Sequence, residues 1–368
     1  MSASKACRLS CIATLLTVDE RPAPMIDLRS DTATIPTPAM LAAMAAADVG
    51  DEQLREDPTV NELQRRAAEL LGQEAALFLP TATMANQIAL RVLTRPGCLL
   101  IAEERTHCMI FEAGGPAVHS GLVMLGLPGI DGRITPAQID EVAARSEDVE
   151  PASVVVLENT HRSAGGRVWP LAEFTAFVEK ARERGIAVHL DGARLLNAAV
   201  ASGTAAADYG RLADSVTICF SKGLGCPLGA ILASSAERIE LAWREKFLFG
   251  GAMRQAGVVA AAALYAFDHH VDRLAEDHAR AKRLAEGLAE NGLPVDVEAV
   301  ETNFVGIPLE PIGLSFSDAA ARIADQGVRV GYMRPGVIRA ATYLGIEDAH
   351  VDRATEAIPQ ALGALVGA

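Results

Sequence analysis

The sequence predicts an α/β fold: a mostly parallel sheet covered by helices on both faces, followed by a smaller C-terminal α+β unit. From Met25 to about residue 250, short continuous apolar runs alternate with amphipathic helical stretches, the pattern of strands buried on both faces. Beyond that point the texture gives way to long helical sequence and then to short strand-like pieces. Half of the 368 residues are apolar, 22% are charged and 4% aromatic. That composition excludes a disordered, collagen-like or coiled-coil chain.

The elements follow in order. Pro38 opens a helix through Ala47, and Asp57-Pro58 caps a second, with Val60, Leu63, Ala67 and Leu70 on one face and Gly72 as its stop. Strand-like runs follow at Ala75 to Leu79, Leu99 to Ala102, Leu122 to Leu127, Val154 to Leu157, Ile186 to Leu190, Val216 to Phe220 and Ala230 to Ala233. Helices at Met84 to Leu93 and Leu171 to Arg184 lie between some of them. Met253 to Ala289 reads as nearly unbroken helix with a polar stripe of Asp268, Asp272, Glu276 and Arg280. Strand-like pieces at Val295 to Val300, Asn303 to Ile307, Val328 to Val330 and Val337 to Ala341, a helix at Ser317 to Gln326 and a closing helix complete the chain. The expected division is a leader over 1–24, a large domain with an N-terminal arm over 25–252, and a connecting helix with a small domain over 253–368. The leader reads as disordered, or as preceding the true start at Met25, rather than as a secretion signal.

A formal net charge of −14 argues against a nucleic-acid or anionic-membrane surface. No apolar run reaches the roughly 18 residues a membrane span needs. Six cysteines, at 7, 11, 98, 108, 219 and 226, form no CxxC pair or zinc-type spacing. No metal site is expected, and free thiols in apolar runs suit a reducing, cytoplasmic setting.

Three constellations carry chemistry. The strand Ser215 to Phe220 ends abruptly in Ser221-Lys222-Gly223-Leu224-Gly225. Strand carboxyl ends are where open α/β sheets bind ligands, and a desolvated lysine there is a nucleophile able to form a Schiff base. The bland alternative is a loop lysine reaching water. A second buried strand ends in Asp191-Gly192-Ala193-Arg194. A carboxylate there needs a cation, either the ring nitrogen of pyridoxal phosphate or Arg194 across a turn. A third segment, Leu79-Pro80-Thr81-Ala82-Thr83, opens a helix whose free N–H groups suit a phosphate, unless Thr81 is simply an N-cap. His161 reads as near the site or closing a loop, His189 as a satisfied core residue, and His269-His270 as surface or interface.

Six ordered motifs resemble the L-threonine aldolase family: Met25 to Thr32, Asp57 to Asn61, Leu157 to His161, His189 to Arg194, Ser221 to Gly225 and Gly250 to Gln255. The resemblance implies an aspartate-aminotransferase-like, fold type I architecture with a three-layer large domain, and pyridoxal 5'-phosphate as cofactor. It also implies a homotetramer, a dimer of dimers with shared active sites. By position, Lys222 would be the Schiff-base lysine and Asp191 the partner of the pyridine nitrogen. His107 would stack on the ring and help move a proton. Thr81, Ala82 and Thr83 would hold the phosphate, as would Arg254 from a neighbouring subunit. Ser30, Arg194 and Arg339 would bind the substrate carboxylate. The implied activity is retro-aldol cleavage of L-threonine, L-allo-threonine and related β-hydroxy-α-amino acids to glycine and an aldehyde. Transaldolase or β-eliminating chemistry on the same cofactor, or a non-catalytic binder, are the alternatives.

The sequence departs from the family pattern at Ile35, at Leu54-Arg55 (usually Tyr-Gly), at Ala82, and in Glu147 to Pro151, which lacks a histidine often found there. Weak threo/erythro discrimination and tolerance of bulky or aromatic β-substituents are the expected consequence.

Overall fold

The computed structural model describes residues 25–145 and 152–363. The leader and the segment Glu147 to Pro151 lie outside the described residues. Eleven described strands run β1 Ile26–Leu28, β2 Ala75–Leu79, β3 Leu99–Glu103, β4 Val123–Leu127, β5 Ala152–Glu158, β6 Ala187–Asp191, β7 Ser215–Cys219, β8 Ala230–Ser234, β9 Phe304–Pro308, β10 Val328–Arg334 and β11 Val337–Ala341.

Seven of them form one sheet in the order β2-β8-β7-β6-β5-β3-β4, parallel except for β8, which runs against both neighbours. Alternation along each strand buries both faces. Leu100, Ala102, Val154 and Val156 pack on one side beside the helix Ala82–Leu93. Ile101, Val155, Leu157, Val188 and Leu190 pack on the other among residues of helices Leu171–Glu183, Leu195–Ser202 and Gly257–His269. Each Leu, Ile or Val side chain among them contributes about 1.5–3 kcal/mol by leaving water. The result is three layers, as the continuous apolar runs require.

β1, β9, β10 and β11 form a separate four-stranded sheet in the order β1-β10-β11-β9, backed by helices Leu274–Glu290, Phe316–Asp325 and Asp348–Leu362. β1 pairs in parallel with β10, Ile26 opposite Val328, so the N-terminal arm is built into the sheet of the C-terminal unit.

Three local expectations are corrected. The stretch 253–289 is two helices, Gly257–His269 and Leu274–Glu290. The break follows His270, which is buried and bonds Leu224 O through Nδ1 at 2.7 Å, so it is neither surface nor interface. Val295 to Val300 contains a 3-10 turn over Val297–Ala299, because the Asp296 carboxylate takes the N–H groups of Glu298 and Ala299 that a strand would give to a neighbour.

Candidate active site

Because β2, β3, β5, β6 and β7 run the same way, their carboxyl ends meet at one edge of the large sheet. That edge gathers Thr81 after β2, His107 after β3, Glu158 at the end of β5, Asp191 at the end of β6 and Lys222 just past β7. The small sheet adds Ser30 and Asp31 after β1 and Arg339 from β11.

Lys222 is half-buried, and its carbonyl accepts the Gly225 N–H at 2.9 Å, closing the turn that Gly225 makes at φ +79°. Among the described residues its side chain has no hydrogen-bond or ion-pair partner. Gly192 is required after Asp191, because a Cβ there would come within 2.7 Å of Thr217 O.

Asp191 is buried; its Oδ1 accepts the Ala193 N–H at 3.1 Å and its Oδ2 accepts Asn86 Nδ2 at 2.9 Å. Burial pushes its carboxyl up, but the charges of His107 and Lys222 outweigh that and hold it below the usual range. Asn86 also donates to Glu112 Oε1 at 2.9 Å, and its Oδ1 meets His189 Nε2 at 3.0 Å. His189, bonded to Ser215 Oγ at 2.8 Å on its other nitrogen, is a satisfied core residue, which burial keeps neutral by lowering its pKa to about 4.

His107 contacts Glu112 Oε1 through Nδ1 at 2.8 Å, and its backbone N–H donates to Glu158 Oε2 at 2.8 Å. Burial works against its charge, yet the Glu112 hydrogen bond and the charges of Asp191 and Glu158 raise its pKa. A carboxylate accepts, so Nδ1 carries a proton and Nε2 is left to exchange one. His107, Glu112 and Asp191 are the one described group whose ligand atoms lie close enough for a metal, all within 4.8 Å. Their oxygens and Nδ1 are already joined by Asn86 and by one another, so the group is closed by its own hydrogen bonds.

Arg194 does not bond Asp191 across the turn. It donates through Nε and Nη2 to Asp31, each at 2.6 Å, and its guanidinium lies 4.7 Å from the Phe304 ring. Arg339 stacks on the same ring at 4.8 Å and donates to Arg29 O at 3.1 and 2.8 Å, leaving Nη1 buried without a hydrogen-bond partner among the described residues. Burial, followed by repulsion from Arg162 and Arg194, lowers its pKa to about 9. Clustered guanidinium groups favour an anion between them.

The remaining expected residues sit less tightly. Ser30 Oγ accepts from Thr32. Thr81 is the N-cap of the helix Ala82–Leu93, its Oγ1 accepting the Met84 N–H at 3.1 Å. Arg254 is exposed and pairs with Asp51 at 2.7 Å, away from the cluster's bonds. His161 is buried and pairs through Nε2 with Glu103 at 3.1 Å. Sequence reasoning missed Asn86, Glu112, Glu158 and Arg162. Asn86, a polar residue among Ala85, Ile88 and Ala89 on a buried helix face, is the one whose position could have signalled a role.

The chain matches the family model described as Beta-eliminating lyase over residues 27–310. It is 44% identical to the low specificity L-threonine aldolase of Escherichia coli K12 over 283 residues, 76% of this chain and 84% of that one. It is 40% identical to low-specificity L-threonine aldolase 1 of Arabidopsis thaliana over 292 residues, 77% of this chain and 81% of the relative. The threonine aldolase structure of Leishmania major superposes with a TM-score of 0.78 at 21% identity, over 92% of this chain and 99% of that one, and shows the fold type I architecture. This chain belongs to the beta-eliminating lyase family and, within it, to the low-specificity L-threonine aldolases.

Proposed function

We propose that the protein cleaves L-threonine, L-allo-threonine and related β-hydroxy-α-amino acids to glycine and an aldehyde, using pyridoxal 5'-phosphate. The observation that carries this reading is the unpartnered Lys222 at the sheet edge that also presents buried Asp191 and His107, facing the Arg194–Arg339 pair. The donor set suits the cofactor: an amine for its aldehyde carbon, a buried carboxylate for its ring nitrogen, and the start of the helix Ala82–Leu93 for its phosphate. Thr217 Oγ1, opposite Asp191 in register, is a buried hydroxyl without a hydrogen-bond partner among the described residues, as expected beside a polar ligand.

When bound, pyridoxal phosphate supplies an electron sink that accepts the pair released from the Cα–Cβ bond. Lys222 would join it through Nζ, and Asp191, held ionised, would keep a positive charge at the ring nitrogen. Thr81, Ala82 and Thr83 would hold the phosphate through N–H and hydroxyl donors, and exposed Arg254, on leaving Asp51, would reach a neighbouring subunit's site. Arg194 and Arg339, with Ser30, would bind the substrate carboxylate and fix which bond at Cα lies ready to break. His107, whose Nδ1–H donates to Glu112, would take the β-hydroxyl proton at Nε2.

Exposed apolar side chains at Ile35, Leu54, Val118 and Leu248 would be available to contacts between copies in the proposed homotetramer with shared sites. Among the described residues no helix is long and apolar enough to cross a membrane. Buried free thiols at Cys98, Cys108, Cys219 and Cys226 support a cytoplasmic location. The test is product release from cofactor-loaded protein given L-threonine, L-allo-threonine and L-phenylserine, with Lys222→Ala alongside. Equimolar glycine and aldehyde, absent in the variant, are expected; no aldehyde from any substrate would reject the reading.

A further inference from the structure

Arg162 is a guanidinium of the cleft that the mechanism above leaves unused. Its backbone N–H donates to Glu158 Oε1 at 2.7 Å, fixing it at the exit of β5. Its side chain crosses toward the small sheet. The guanidinium lies 4.2 Å from the Phe111 ring centroid, and Nη2 donates to Tyr332 O at 3.3 Å. The Phe111 ring in turn lies 5.5 Å from that of His107. Nη1 of Arg162 is buried and has no hydrogen-bond partner among the described residues.

The carboxylates that could satisfy it are committed elsewhere. Both oxygens of Asp31 hold Arg194, and those of Glu158 take the backbone N–H groups of His107 and Arg162. The charges of Arg162 and Arg194 oppose each other, as do those of Arg162 and Arg339, while Glu158 and Asp31 attract Arg162 without supplying an acceptor to Nη1. One substrate carboxylate between Arg194 and Arg339 leaves Nη1 of Arg162 still without an acceptor. A buried guanidinium donor without an acceptor is costly, and a second anionic group on the ligand would satisfy it.

We propose that Arg162 is a specificity-determining residue that binds a carboxylate carried on the substrate's Cβ, which makes dianionic β-hydroxy-α-amino acids such as β-hydroxyaspartate preferred substrates. This rests on the aldolase reading above. With the α-carboxylate at Arg194 and Arg339, the Cβ substituent runs along the adjoining wall of Arg162, Phe111 and His107. The planar fork of Arg162 offers its free N–H donors to a carboxylate there. The reaction balances without a further reactant. The hydroxyl proton leaves to the base, the Cα–Cβ bond breaks, and its electron pair stays on Cα, which is then protonated to glycine. The other product is glyoxylate.

The test uses the cofactor-loaded full chain in two arms. In the first, calorimetry compares L-aspartate with L-asparagine, which differ in the second charge and lack the β-hydroxyl, so retro-aldol cleavage consumes neither. L-aspartate is expected to bind about tenfold or more tightly, the scale of a hydrogen bond to a charged group. Arg162→Asn should erase that difference and Arg162→Lys restore part of it. Equal affinities in the unmodified protein, or a difference that survives Arg162→Asn, would overturn the proposal. In the second arm, the ratio of kcat/KM for β-hydroxyaspartate to that for L-threonine should fall about tenfold or more in Arg162→Asn, mainly through KM. An unchanged ratio would also overturn it. Absence of cleavage of both substrates would reject the aldolase reading, while the aspartate–asparagine comparison would still decide the role of Arg162.

Discussion

Arg194, which follows β6 of the large sheet, is held at 2.6 Å on both Nε and Nη2 by Asp31, which follows β1 of the small one. The pair is buried, and it spans the two sheets at the point where the substrate carboxylate is proposed to sit. Asn303, from the loop before β9, adds a hydrogen bond to Asp31 at 3.3 Å. The arginine is therefore oriented before any ligand arrives.

Asp31→Asn should leave Arg194 as an uncompensated buried charge and lower stability by about 3–5 kcal/mol at neutral pH. Arg194 outweighs the effect of burial and holds the Asp31 carboxyl well below the usual range. The contribution is thus present above the unfolded carboxyl value of about 4 and lost as pH falls below it. Urea titrations at several pH values should show the two proteins converging on acidification. A gap that stays constant would contradict this assignment.

His107 should set the acid limb of kcat/KM. Its pKa is raised from the ordinary 6.5, so the free base at Nε2 accumulates only above that pH, and the rate should rise through it. Glu112→Gln removes the carboxylate at Nδ1 and should move the limb toward lower pH. A limb that does not move would show that another group takes the proton.

Asn86→Ala should strip donors from Asp191 and Glu112 and a partner from His189. Buried groups left unsatisfied cost about 1–3 kcal/mol each. Weaker retention of pyridoxal phosphate, read from the visible absorbance of the dialysed protein, is expected alongside a lower Tm.

Lys246 is buried, contacts Glu52, and donates to Phe78 O at 2.6 Å. Glu52 also accepts the Met253 N–H at 2.8 Å, and its own N–H donates to Arg254 O at 2.9 Å. Glu52→Ala should cost about 3–5 kcal/mol and loosen the loop that carries Arg254. Lys246→Met with Glu52→Leu, which removes both charges, should recover most of the loss in chemical denaturation.

Comparable kcat/KM for L-threonine and L-allo-threonine is expected, because the sequence departs from the family pattern at 147–151 by having no histidine there. A coupled assay of acetaldehyde release from each diastereomer measures this, and strong preference for one would refute it.

The fold and the placement of two proposed site residues at strand ends were legible because their signals are local. Asp191 and Lys222 each end a continuous apolar run, so the position of their side chains follows from strand periodicity and an abrupt glycine. The partners that tune them were not legible. Asn86 lies 105 positions from Asp191, and Asp31 lies 163 from Arg194, so only the assembled sheets bring them together. Thr81 looked like a phosphate ligand and a cap at once, and its hydroxyl in fact caps the helix. The break after His270 was hidden because nothing in Met253 to Ala289 opposes helix; the opposing bond comes from Leu224 O.

The pairing of β1 with β10 sets an order of events during synthesis. Ile26 emerges from the ribosome well before Val328, its partner. Until then the large sheet has every strand it needs, while Ser30 and Asp31 hang from an edge that does not exist. A nascent or C-terminally truncated chain would hold Lys222 and Asp191 but lack an anchored Asp31 to orient Arg194. The site is completed last, by the closing of a loop that spans most of the polypeptide.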